Sequence, residues 1–167
     1  MDVNMKGKPL TTNGEIPAKG EKAPAFTLQD LNGQSVSLAD YKGYVVLIST
    51  FPDINTSTCS RQTGKFNEMA STLKDTKIIS ISTNTVEEQK DWCAAKSIDM
   101  DLLHDTERSF SKSYGLYIEE TDKTARAVLV LNREGQVVYN EVVKEMSEDP
   151  NYEAAVAAAK HEEAEMF

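Results

Sequence analysis

Two cysteines carry the chemistry open to this chain, and Cys59 is the better placed of them. It follows a β-branched apolar run, residues 44–50, and stands at the start of a stretch whose apolar residues Phe66, Met69, Ala70 and Leu73 predict a helix over 58–73. A thiol in the first turn of a helix meets backbone N–H groups that have no partner within the helix, and the positive end of the helix dipole; both favour thiolate. Thr56, three residues earlier, can turn its hydroxyl toward the sulfur and toward a bound reactant. Pro52 has a fixed φ and no N–H, so it can shape and shield the loop. Arg126, on a later strand, can add a planar cationic fork. Each residue also has an ordinary alternative. A lone cysteine is often a small buried hydrophobe, and the same holds for Cys93 beside Trp92. A threonine before a helix is often an N-cap, a role compatible with chemistry. An arginine is most often half of a surface ion pair.

Composition narrows the partners. The chain has 167 residues, 40% of them apolar, which suits one well-buried core and predicts a single domain over 1–167. A net charge of −9 opposes nucleic acid and anionic membrane surfaces alike, leaving small substrates or other proteins. Neither a signal-peptide core nor a membrane-length apolar run is present, so the expected compartment is the cytoplasm. Two cysteines in a reducing compartment are more often reactive or incidental than a permanent staple. His104 and His161 stand in no metal or triad spacing with them.

The elements that must hold Cys59 follow from periodicity. Residues 44–50 are apolar on both faces, as in a central strand covered on each side, and 77–82 read as a second buried strand. Strand, helix and strand in that order place the loop of Cys59 at the carboxyl end of the first strand, where open α/β sheets put their sites. Before them lie an edge hairpin within 1–19, expected to close near Asn13-Gly14, a strand over 25–28, the Asn32-Gly33 turn and a half-buried strand over 35–38. After them come a helix over 86–95 that holds Cys93 and one over 108–114 stopped at Gly115. A hairpin follows, 127–131 with 137–139, making the sheet mixed. An Ala-rich helix from Tyr152 to about Glu165 closes the chain, with an acidic tail over 161–167 expected to be solvated.

This order of elements resembles a thioredoxin-like fold: α/β, with a central mixed sheet flanked by helices and an N-terminal β-hairpin. Pro52-x-x-x-Thr56-x-x-Cys59 matches the active-site pattern of the peroxiredoxin family at every fixed position. Residues 20–28, GEKAPAFTL, resemble the N-terminal signature of that family, and residues 125–128, ARAV, resemble the segment that carries its active-site arginine. Within the family the chain is most similar to the thiol peroxidase subgroup, in its hairpin and in a second cysteine on a helical Asp91-Trp92-Cys93-Ala94 segment, 93 − 59 = 34 residues on. Asn55 and Thr58 depart from that subgroup, which usually has Asp and an apolar residue there, and neither change removes a reacting group. The resemblance implies a peroxidase of the atypical two-cysteine kind, in which Cys59 becomes a sulfenic acid and condenses with Cys93. It further implies thioredoxin as reductant, a homodimer, and no metal, haem or flavin.

A lowered pKa alone cannot make such a thiol fast. Dropping it from about 8.5 to roughly 6 raises the thiolate fraction at pH 7 about thirtyfold. A Brønsted slope of about 0.45 takes back roughly tenfold. Most of the acceleration must therefore come from donors around the peroxide, for which Thr56, the backbone N–H groups near Thr58 and Cys59, and Arg126 are the candidates. Rival functions are a redox sensor on the same fold, which would oxidise once and not turn over; a disulfide oxidoreductase, which would want a second cysteine where Gln62 stands; and a cysteine phosphatase, which would want an arginine in place of Lys65.

Overall fold

The computed structural model describes residues 2–53, 57–96 and 101–164, and of Ser57, Cys59, Ser60, residues 92–96 and Asp101 the backbone alone. In chain order the elements are β1 (Asp2–Met5), β2 (Lys8–Thr11), β3 (Thr27–Asp30), β4 (Ser35–Ser37), β5 (Val45–Phe51), α1 (Ser57–Met69), β6 (Thr76–Ser82) and α2 (Val86–Lys96). They continue with β7 (Asp101–His104), α3 (Ser109–Ser113), β8 (Tyr117–Ile118), β9 (Lys123–Thr124), β10 (Ala127–Leu131), β11 (Val137–Val142) and α4 (Tyr152–Ala164). Among the described residues no helix is long and apolar enough to cross a membrane.

Seven strands form one mixed sheet in the order β11, β10, β5, β6, β7, β3, β4. β5, β6 and β7 run parallel, and the flanking pairs β10–β5 and β7–β3 are antiparallel. The two-faced apolar pattern of β5 explains its central place. Val46 and Ile48 face a cluster with Ile79, Ile81, Leu103, Phe110 and Tyr114; Val45 and Leu47, one residue out of phase, face Phe66, Val128, Val130, Tyr152 and Ala159. The first face is covered by α3 and the hairpin, the second by α1 and α4. Phe66 and Tyr152 meet edge to face at 5.2 Å between ring centroids, joining the two helices over β5. Fully burying Phe66 contributes about 2–3 kcal/mol.

Several expected boundaries shift. α1 gives way to a 3₁₀ turn over Ala70–Thr72, short of Leu73. β7 and the two-residue pair β8–β9 have no counterpart in the periodicity, because two to four residues are too few to show an alternation. Gly115 does stop its helix. Its φ of +71° lets its own N–H reach the Lys112 carbonyl at 3.3 Å and the Leu116 N–H reach Ser111 at 2.8 Å, the two bonds of a Schellman cap. The acidic tail is not simply solvated, since α4 runs to Ala164 and Glu163 accepts bonds from the Asp75 N–H at 2.7 Å and the Thr76 hydroxyl at 2.8 Å.

The N-terminal hairpin is present, but it closes at Lys6-Gly7 and not near Asn13-Gly14. Lys6 and Gly7 have φ of 51° and 83°, the two left-handed residues that a two-residue turn between twisted strands requires. Asn13 instead docks on the chain after α3, its amide donating to the Lys112 carbonyl at 2.9 Å and its Oδ1 accepting from the Tyr117 N–H at 3.1 Å. The hairpin lies against residues 144–147. Asn4 accepts from the Met146 N–H at 2.7 Å and donates to the Lys144 carbonyl at 2.6 Å. The Glu145 carboxylate caps the turn, taking the N–H groups of Lys6 at 2.7 Å and Gly7 at 3.2 Å and the Ser147 hydroxyl at 2.9 Å.

Those donors, the Lys6 N–H first, hold the Glu145 carboxyl below its ordinary value of 4.5. A depressed folded pKa contributes stability above the unfolded value and loses it as pH falls through the folded one. The loss therefore begins near pH 4.5 and continues below it. Denaturant midpoints measured from pH 6 to 3 should fall more steeply below that point in the unmodified chain than in Glu145→Gln. Parallel curves would remove this carboxylate from the acid response.

Candidate active site

The strand–loop–helix junction forms as its sequence predicts. β5 ends at Phe51, α1 begins at Ser57, and Cys59 is in the first turn of a 13-residue helix. Cys93 is carried by α2. Thr56 and Asn55 lie outside the described residues, as do the side chains of both cysteines. Pro52 is buried next to the strand end, where its carbonyl accepts from the Thr83 hydroxyl at 3.3 Å. That bond continues the β5–β6 ladder, whose last pair is Phe51 and Ser82, into the loops beyond it. Asp53 extends the tie, accepting from the Asn84 amide at 3.1 Å and pairing with Lys123 of β9 at 3.1 Å. The first turn of α2 is closed by the Thr85 hydroxyl and the Glu88 carboxylate, which bond reciprocally, and the Thr85 N–H is the main reason Glu88 titrates below its usual range. The segments that bear the two cysteines thus leave the sheet from neighbouring, cross-tied strand ends.

Arg126 stands one residue before β10, whose Ala127 pairs with Thr50 near the end of β5. Its side chain is 1% exposed. A guanidinium buried that far costs several kcal/mol unless its N–H groups are bonded. Nε donates to the Met146 carbonyl at 2.9 Å, and a terminal nitrogen donates to Gln62 Oε1 at 2.9 Å. These two acceptors are neutral amide oxygens, and together they fix the plane of the fork. Gln62, 0% exposed, is fixed in turn, donating through Nε2 to Ser49 Oγ at 2.7 Å and the Thr50 carbonyl at 3.0 Å. The Thr50 hydroxyl closes the set on the Ala125 carbonyl at 2.9 Å.

Gln62 is one helical turn beyond Cys59, on the same face of α1, and residues three apart on a helix are neighbours. The structure therefore brings Arg126 to a residue three positions from Cys59 along α1. Gln62 was not singled out by type or motif. Its signal was positional: four residues before the apolar Phe66, it had to face the core, and a core-facing amide needs polar partners. The Met146 carbonyl had no signal, because a backbone acceptor has no side-chain signature.

A second set of contacts surrounds the start of α1. The buried Thr58 hydroxyl donates to the Ser147 carbonyl at 2.9 Å and accepts from Arg61 at 3.3 Å. Arg61 pairs with Asp149 at 3.2 Å, and Asp149 accepts from the Tyr152 hydroxyl at 3.1 Å. Burial, and then Asp149, push that phenol well above its usual range, so it stays a neutral donor. Thr58, polar where an apolar residue was expected, has its hydroxyl satisfied. Among the described residues no group of three or more His, Cys, Asp or Glu side chains is placed to hold a metal ion.

Known proteins share this arrangement of elements. A sequence profile described as the AhpC/TSA family matches residues 19–140. The chain is 45% identical over 160 residues to a thiol peroxidase of Listeria innocua, covering 95% of this chain and 97% of that one. It is 41% identical over 161 residues to a thiol peroxidase of Bacillus subtilis, with 95% and 96% covered. Among solved structures, a peroxiredoxin-like protein from Aquifex aeolicus superposes with a TM-score of 0.90 at 29% identity, covering 99% of this chain and 97% of that one.

Replacing Gln62 by Leu keeps the volume and removes every polar contact of the amide. Ser49 Oγ, the Thr50 carbonyl and the Arg126 fork each lose a bond in a site closed to water. The expected cost is about 3 kcal/mol, since a buried polar group left unpaired costs roughly 1–3 kcal/mol. Urea unfolding would measure it, and a change below about 0.5 kcal/mol would contradict the part given to Gln62.

Proposed function

The chain belongs to the AhpC/TSA family, and with a thiol-dependent peroxidase as the premise we propose how its residues divide the reaction. The Cys59 thiolate attacks one oxygen of a hydroperoxide and the O–O bond breaks. The leaving oxygen departs as an alcohol or water after taking a proton, and Cys59 is left as a sulfenic acid. The Cys93 thiol then attacks that sulfur, an intramolecular disulfide forms and water is released. Thioredoxin returns both sulfurs to thiols.

Arg126 stabilises the thiolate and the charge that grows on the peroxide oxygens as their bond lengthens. Thr56 directs a hydroxyl at sulfur and peroxide, and Pro52 shields the pocket and shapes the loop. The observation that supports this division is the contact of the buried Arg126 with Gln62, one turn from Cys59. The same proposal takes residues 1–167 as one domain, working as a cytoplasmic homodimer on hydrogen peroxide and organic hydroperoxides, with no metal or organic cofactor.

Cys59→Ser should abolish turnover and leave the fold intact, because the hydroxyl is nearly isosteric and a far poorer nucleophile. Mass spectrometry of the peroxide-treated chain should find an intrachain Cys59–Cys93 bond. A stable sulfenic acid with Cys93 free, or a bond between chains, would reject Cys93 as the resolving thiol. Steady-state peroxide consumption with thioredoxin and its reductase separates an enzyme from a sensor that oxidises once.

Removing Arg126 should cost about 3–4 kcal/mol of barrier, or 10²–10³ in rate, the usual loss of one preorganised donor. Lysine keeps the charge and loses the planar fork, so Arg126→Lys should recover only part of it. If Arg126 served the thiolate alone, Arg126→Ala would regain its rate near pH 9, where an ordinary cysteine is largely ionised. Because the action is on the transition state, the deficit should persist there. Stopped-flow oxidation across pH would measure it, and an alanine variant within twofold of the unmodified chain at pH 7 would take Arg126 out of the site.

A further inference from the structure

Residues 143–151 join β11 to α4 without regular structure, yet two consecutive carbonyls in this connection do specific work. Met146 O receives Arg126 Nε at 2.9 Å, and Ser147 O receives the Thr58 hydroxyl at 2.9 Å. One bond fixes the fork, the other fixes the residue next to Cys59. Two neighbouring carbonyls can hold such different groups only if the backbone that aims them is itself held, and a short turn such as the one closed by the Glu148 N–H on the Glu145 carbonyl at 2.9 Å needs an anchor outside the segment. The N-terminal hairpin does so. Asn4 brackets Glu145 through Lys144 O and Met146 N, and the Glu145 carboxylate gathers Lys6 N–H, Gly7 N–H and the Ser147 hydroxyl. The four hairpin bonds and both site bonds fall on four successive residues, 144–147. The hairpin adds only Val3 and Leu10 to the fully buried core, so its polar docking is a large part of what it does.

We propose that the hairpin and Glu145 are positioning elements for the reaction at Cys59, fixing the carbonyls of Met146 and Ser147 and through them Arg126 and the start of α1. The inference rests on the assignment of Arg126 given above and extends the site to residues 4–7, far from it in sequence. Glu145 is given the part of a positioning residue. It acts by holding the acceptor that sets the tilt of the guanidinium, and small misplacements of a reacting or stabilising group are costly, about 10²-fold for 1 Å.

The test is a double-mutant cycle read as the single-turnover rate of Cys59 thiol loss on adding hydrogen peroxide, with circular dichroism confirming the fold. Glu145→Ala should slow that step about tenfold when Arg126 is present. In an Arg126→Ala background the same change should cost no more than about threefold, because of the two groups it positions only the start of α1 remains. Glu145→Gln, which keeps one acceptor oxygen, should fall between, and it carries the cycle if the alanine variant does not fold. Equal losses in both backgrounds would mean general destabilisation and would overturn the inference. A slow Arg126→Ala with full-speed Glu145 variants would overturn it alone, whereas an Arg126→Ala chain as fast as the unmodified one would overturn the assignment of Arg126 together with it.

Discussion

Much of this molecule is arranged around one buried guanidinium. Arg126 enters the protein at the end of β5 with 1% of its surface exposed, and a cation in that setting must be surrounded by acceptors or it will not stay. Gln62 supplies one from α1 and Met146 another from the connection before α4, so three parts of the chain distant in sequence converge on one side chain. Ser49 and Thr50, polar residues at the end of an otherwise apolar strand, are there to complete the set. The acceptors on Gln62 and Met146 are both neutral amide oxygens.

The sheet makes that convergence possible. β5 is sealed by apolar side chains on both faces over most of its length, and the buried polar cluster gathers at its carboxyl end, from Ser49 and Thr50 onward. The antiparallel pairing of β10 delivers Arg126 there and the parallel pairing of β6 delivers the Thr83–Asn84 loop to the other side. The loop of Pro52 and Asp53 is thereby flanked by both neighbours, tied to Thr83 and Asn84 on one side and through Lys123 to β9. Cys59, in the first turn of α1, is thus carried next to a rigid frame without being placed on a strand itself.

Periodicity and motif made most of this legible. Residues 44–50 announced a central strand by being apolar in both phases, the helical spacing after them placed Cys59 in the first turn of α1, and the Ala-rich run from Tyr152 announced α4. What stayed hidden shares a cause: it depends on groups whose identity carries no local signal. Lys6-Gly7 makes the hairpin turn although lysine rarely adopts a positive φ, while Asn13-Gly14, the stronger turn signal, is used for side-chain docking. Gln62 looks like surface until Phe66 sets the helix phase. The carbonyls of Met146 and Ser147 belong to every residue alike, and only the path of the backbone gives them a function.

The pairing of Lys6 with Glu145 spans 139 residues of sequence, and that span sets an order of events during synthesis. At a translation rate of about 5–20 residues per second, the hairpin waits roughly 7–28 s between its own emergence and that of the segment it docks on. Over that interval β5, α1 and β6 are already available to pair locally, while the contacts of longest range, which are slow to form in any case, have no partner. A nascent chain can therefore carry Cys59 and Gln62 on one helix well before Arg126 and its other acceptor, Met146, have emerged. The surroundings of Arg126 are thus completed late, when residues 4–7 close on residues 144–147.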